Sequence, residues 1–149
     1  MVKEKDARRA GSLATEQRDG LKNGNQLLSA DTFSHCSRGD VEEARLRRIR
    51  ALVGEGRDLV RSCPDAWEAA LTYVRECARS KRPVLWHDVA SVMLARDYID
   101  QRTGKNVAVN NTLGPLLMRW LVDLCPEARP YFKPRRSMFN ELGVGGPYD

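Results

Sequence analysis

Apolar residues recur at helical spacing through the later two thirds of this 149-residue chain and are sparse before it. In residues 40–61, DVEEARLRRIRALVGEGRDLVR, the side chains of Leu46, Ile49, Val53 and Val60 follow one stripe. Such a period marks one face of an α-helix. Asp40 is placed to cap its start, and Glu42 and Glu43 lie in the first turn, where the helix dipole favours negative charge. Gly54 and Gly56 weaken the middle and predict a break or fraying there. Residues 62–79, SCPDAWEAALTYVRECAR, give the clearest helix. Ser62 can cap it, Pro64 suits the first turn, and Asp65 supports the same turn. Trp67, Ala70, Leu71, Val74, Cys77 and Ala78 then share a face, which is core.

Pro83 stops any helix before it. Val84, Leu85 and Trp86 form a short apolar run, a small strand or a staple for the next helix. From His87 to Ile99 the pattern is helical again, with Val89, Ala90, Val92, Met93 and Leu94 apolar over a wide arc that implies burial between neighbours. A polar turn containing Gly104 ends it. The stretch GKNVAVNNTLGPLLMRWL, residues 104–121, then passes from polar loop to apolar helix, expected over about 113–125. Proline belongs only in the first turn, where its missing N–H had no partner. Pro115 therefore sets the helix start, third after a Thr112 cap or first after a Gly114 cap. Leu116, Leu117, Trp120, Leu121 and Leu124 face inward, while Arg119 and Asp123 face out. The matching stripes predict one core of Trp67, Leu71, Val74, Val89, Met93, Leu117, Trp120, Leu121 and Leu124.

Pro126, Pro130, Pro134 and Pro147 exclude a long helix at the end of the chain. There YFKPRRSMF, residues 131–139, alternates aromatic and basic side chains and can form a short ribbon, and GVGGPYD reads as a flexible end. Residues 1–40 mix charges of both signs with Gly, Asn and Ser, and predict a largely disordered arm. Within it a short helix fits near residues 13–30, and Leu27, Leu28 and Phe33 can dock on something. The organisation expected is an arm over 1–40, a helical domain over 41–142 and a flexible tail over 143–149.

The formal charge of +5 favours an anionic partner such as nucleic acid. The four Cys are far apart with no C-x-x-C pair, and His35–Cys36 is the lone close pair, so no metal site and no cofactor are expected. No segment is long and apolar enough to cross a bilayer, and the N-terminal residues lack the apolar centre of a secretory signal, which makes the cytoplasm the default. No catalytic set stands out. His87–Asp88 is explained by a helix start, and GEG and GVGG lack the flanking strand and helix of a phosphate-binding loop. The chain reads as a non-enzyme.

The order of elements adds a resemblance. A capped helix (64–79), a short apolar run (84–86), a second helix (87–99), a loop, a third helix (about 113–125) and a basic-aromatic tail (131–139) succeed one another. This order resembles the helix-turn-helix superfamily, and more loosely its winged-helix branch, over roughly residues 64–142. The resemblance implies a mostly α fold, a small helical bundle with a short β-ribbon wing near the C-terminus. It also implies a third helix in the major groove of double-stranded DNA and a role as a small regulator of transcription or an accessory factor. The base-reading positions would then be Asn110, Asn111, Thr112 and Arg119, since Asn can pair with adenine and Arg with guanine. Lys105 flanks them, and Lys133, Arg135 and Arg136 would neutralise phosphates. A plainer reading stands beside this one. Asn110, Asn111 and Thr112 are good capping residues, Arg119 is a solvated charge, and Tyr131, Phe132 and Phe139 anchor the tail. Arg45, Arg47, Arg48 and Arg50 likewise read as a solvated helix face before they read as phosphate contacts. The rival function is a protein-interaction module, an adaptor or inhibitor with no nucleic-acid role. Leu46, Ile49, Val53 and Val60 would serve it as the surface for a homodimer or a protein partner.

Overall fold

The computed structural model describes residues 37–95, 97–141 and 143–149. The expectations for residues 1–36 of the arm, with Leu27, Leu28 and Phe33, lie outside the described residues, while residues 38–40 belong to the first helix. The described chain is mostly helical: α1 (Arg38–Ser62), α2 (Pro64–Arg79), α3 (Trp86–Leu94) and α4 (Gly114–Leu124), with 3-10 turns at Asn111–Leu113, Pro126–Tyr131 and Met138–Glu141. Among the described residues, no helix is long and apolar enough to cross a membrane.

α1 starts earlier than Asp40. Ser37 is the cap: its hydroxyl accepts from the Asp40 N–H at 3.2 Å, and the Asp40 carboxylate accepts from the Ser37 N–H at 3.0 Å. This reciprocal box satisfies two donors that the first turn leaves open. The expected break at the glycines is absent, and the helix runs for 25 residues. Packing explains this. A Cβ on Gly56 would come within 3.0 Å of both Leu116 and Trp120, so glycine is what lets α1 approach α4. The contact outweighs the intrinsic cost of glycine in a helix, about 1 kcal/mol. The stripe proposed for a partner is also already used. Ile49, Val53 and Val60 are buried in the chain's own core and Leu46 is half-buried, so these residues do not form a free docking face. The basic run on α1 is exposed, with Arg47 donating to Glu43 at 2.9 Å and Arg45 lying 3.7 Å from Glu42.

Ser62 does not cap α2. It ends α1, and its carbonyl accepts from the Gln101 N–H at 2.7 Å. Pro64 opens α2 directly after Cys63, and Trp67, Ala70, Leu71, Val74 and Cys77 are buried as the stripe predicts. α3 is shorter than the pattern suggests and stops at Leu94, which is 50 % exposed. The chain then reverses. Ile99 pairs with Asn106 in an antiparallel bridge, and the Asp100 carboxylate accepts from the Arg102 N–H at 2.8 Å. That bond holds the Asp100 carboxyl below the usual carboxylate range. Here a side chain that satisfies turn N–H groups competes successfully with the helix.

α4 is the central helix, with Leu116, Leu117 and Leu121 fully buried and α1, α2 and α3 packed around it. Its cap is Leu113, so Gly114 is the first helical residue and Pro115 the second. Neither Thr112 nor Gly114 takes the cap position. Asn110 instead caps the preceding turn, accepting from the Thr112 N–H at 3.0 Å. Leu124 is 39 % exposed and leaves the predicted core, while the next residue, Cys125, is fully buried.

No ribbon forms from YFKPRRSMF. Tyr131 closes a 3-10 turn, Phe132 is extended, and Met138 begins another 3-10 turn. Phe139 is buried, and Tyr131 and Phe132 are half-buried, so the aromatic residues anchor this segment. The tail read as a flexible end is also attached. The Trp120 Nε1 donates to the Gly145 carbonyl at 2.8 Å, Arg57 Nε to the Gly146 carbonyl at 3.2 Å, and Trp67 Nε1 to the Tyr148 hydroxyl at 3.1 Å. Large buried indoles need a partner for their N–H, and this tail supplies two.

Candidate functional site

The Gly-Pro pair that opens α4 sits in the wall of a surface groove of about 520 Å³. Three segments build it. The first is 84–87, brought into place by Val84, whose N–H donates to the Tyr131 carbonyl at 2.9 Å. The second is the start of α4, and the third is 132–135, which the same hydrogen bond draws alongside α3. Val84, Leu85, Trp86, Met118 and Phe132 supply an apolar floor with Pro115 and Pro134 at its edge. His87, Asn111, Arg119, Lys133 and Arg135 supply the polar rim. Among the described residues, no acidic side chain lines it.

The floor explains Gly114. A Cβ there would stand 2.8 Å from Trp86 Cε2 and 2.9 Å from Trp86 Nε1, so the indole lies against the bare backbone. Glycine at this position admits the ring of Trp86 from the same chain. Among the described residues, the Trp86 Nε1 is buried without a hydrogen-bond partner. An orphaned buried donor is uncommon and costs about 1–3 kcal/mol. Gly114→Ala should destabilise the fold by about 1–3 kcal/mol through overpacking. Trp86→Leu in the same chain should recover part of that loss. A urea double-mutant cycle checks this, and purely additive costs would show that the two residues do not share a contact.

Of the residues singled out from sequence, Asn111, Arg119, Lys133 and Arg135 converge on the groove, and Thr112 is half-buried beside Asn111. Asn110 is occupied as a cap. Lys105 and Arg136 are exposed but do not line the groove, and Lys105 lies in the turn after Asp100. Leu85, Trp86, His87, Met118 and Phe132 line it without any motif that marks them as site residues in the sequence. Leu85, next to Trp86 in the chain, remains 53 % exposed, which only the fold reveals.

Burial pushes the thiols of Cys63 and Cys125 up, so neither is a ready thiolate. Among the described residues, no three His, Cys, Asp or Glu side chains gather as a metal set. Comparison of the chain with protein-family models, with curated proteins and with solved structures finds no match.

Proposed function

We propose that this protein is a non-catalytic protein-interaction module that docks a segment of a partner chain in the groove between α3, the start of α4 and residues 132–135. The observation that carries this reading is an open groove with an apolar floor: Leu85, Pro115, Lys133, Pro134 and Arg135 are exposed around Trp86, Met118 and Phe132. A closed chamber would suit a small molecule, which buries most of its surface. An open apolar groove suits a peptide segment whose side chains enter it while its backbone stays near solvent.

Duplex binding in the manner of a helix-turn-helix protein is the second reading. It is favoured by the meeting of Asn111, Arg119, Lys133 and Arg135 at one place. The burial of α4 counts against it. Gly114, Leu116, Leu117, Met118, Trp120, Leu121 and Val122 are buried, leaving Pro115, Asp123 and Leu124 exposed and Arg119 half-buried. A recognition helix must lay a polar face along base edges.

Selection of short random peptides on the immobilised protein tests the proposal. Peptides should be recovered that bind the wild type and bind Leu85→Glu about ten-fold or more weakly, because Leu85 is exposed and its replacement leaves the core intact. Recovery of no such peptide, with salt-dependent binding of a duplex oligonucleotide instead, would favour the DNA reading.

A further inference from the structure

We propose that the groove's occupant is an acidic, extended segment of a partner protein that carries one or two bulky apolar side chains between carboxylates. This rests on the reading of the groove as a polypeptide dock, and it adds the chemistry of what docks. Charge is the first argument. Arg119, Lys133 and Arg135 line the groove, and none has an ion-pair partner among the described residues. Arg57, Arg75 and Arg129 are paired with Asp149, Glu68 and Asp123, whereas Arg48, Arg50, Arg61 and Arg136, like the groove cations, have no ion-pair partner among the described residues; what marks the groove is that three cations meet in it with no acidic side chain in its lining. The groove cations are left available, and Arg119 is already half-withdrawn from water, where a carboxylate partner counts for more.

The floor is the second argument. Leu85 leaves an apolar side chain open beside Trp86, Met118 and Phe132, which gives the segment somewhere to bury one of its own. Met118 is a thioether that adapts its shape to what packs on it.

A single nucleic-acid strand is anionic too, but the floor suits it less. Bases have polar edges that need partners, and Asn111 offers the one side-chain amide among the described lining residues. Stacking needs open ring faces, yet Trp86 lies against Gly114 and Phe132 is half-buried.

The test uses four synthetic probes, each titrated into the full chain at low and high salt. One is a short acidic peptide with a central Leu and Phe. The second has the same apolar residues flanked by Lys. The third is acidic with Ser at the apolar positions. The fourth is a single-stranded oligonucleotide. The first should bind, weaken with salt, and bind Arg119→Glu/Arg135→Glu about ten-fold less tightly. The Lys-flanked and Ser-substituted peptides should bind poorly. Equal binding of acidic and Lys-flanked peptides, unchanged by charge reversal but lost in Leu85→Glu, would overturn the acidic occupant and leave the peptide dock standing. Binding of the oligonucleotide alone would overturn both.

Discussion

Trp120→Ala is expected to lower the free energy of unfolding by about 3–5 kcal/mol, the range for removing a buried aromatic. Trp120 is 2 % exposed, and its ring fills the space that Gly56 leaves between α1 and α4. Its Nε1 also holds the Gly145 carbonyl. Truncation therefore opens a cavity in the helix interface and releases one of the hydrogen bonds that hold the tail. Trp120→Phe separates the two effects. It keeps most of the apolar volume, loses the hydrogen bond, and should cost less than the alanine variant. Urea unfolding measures the total, and amide exchange at residues 143–149 reports the tail. A cost below about 1 kcal/mol for Trp120→Ala would mean that α1 and α4 do not meet as described.

Leu121→Ala should cost about 2–5 kcal/mol, because Leu121 is fully buried at the centre of the bundle. Leu124→Ala, three residues on and 39 % exposed, should cost less than half as much. The pair tests the rotation of α4 as well as its burial. Similar costs at both positions would place Leu124 back in the core and turn the helix away from the orientation described.

α2 and α4 are readable in the sequence because each has a proline in its first turn and carries an uninterrupted apolar stripe. The stripe takes in Leu124 because the pattern does not say where the helix stops, and the chain leaves helical geometry at Cys125, which takes the buried position instead. The end of α3 is hidden for a similar reason. Apolar spacing continues to Ile99, but the turn bonded by Asp100 claims those residues. Gly54 and Gly56 look alike as helix weakeners, and only the position of α4 gives Gly56 its purpose.

The groove is partly legible. Asn111, Arg119, Lys133 and Arg135 stand out by residue type. Their meeting depends on a long-range contact, the Val84 N–H to the Tyr131 carbonyl, which no local pattern encodes. The same contact sets Phe132 beside Trp86 and gives the floor its apolar character. Residue type suggests an anionic partner. The proposed peptide dock rests instead on the shape of the place where those residues meet.

The groove itself is tested most directly by tracking the indole N–H resonances of Trp67, Trp86 and Trp120 while the acidic peptide is added. Trp67 and Trp120 already donate to the tail, whereas the Trp86 Nε1 has no partner among the described residues. Trp86→Phe assigns its signal by loss. The Trp86 resonance should move as the segment packs beside its ring, together with the amides of Leu85, Asn111, Lys133 and Arg135, while the other two indoles stay in place. Shifts confined to Trp67 and Trp120, or to the outward face of α1, with Trp86 unmoved, would contradict the peptide dock.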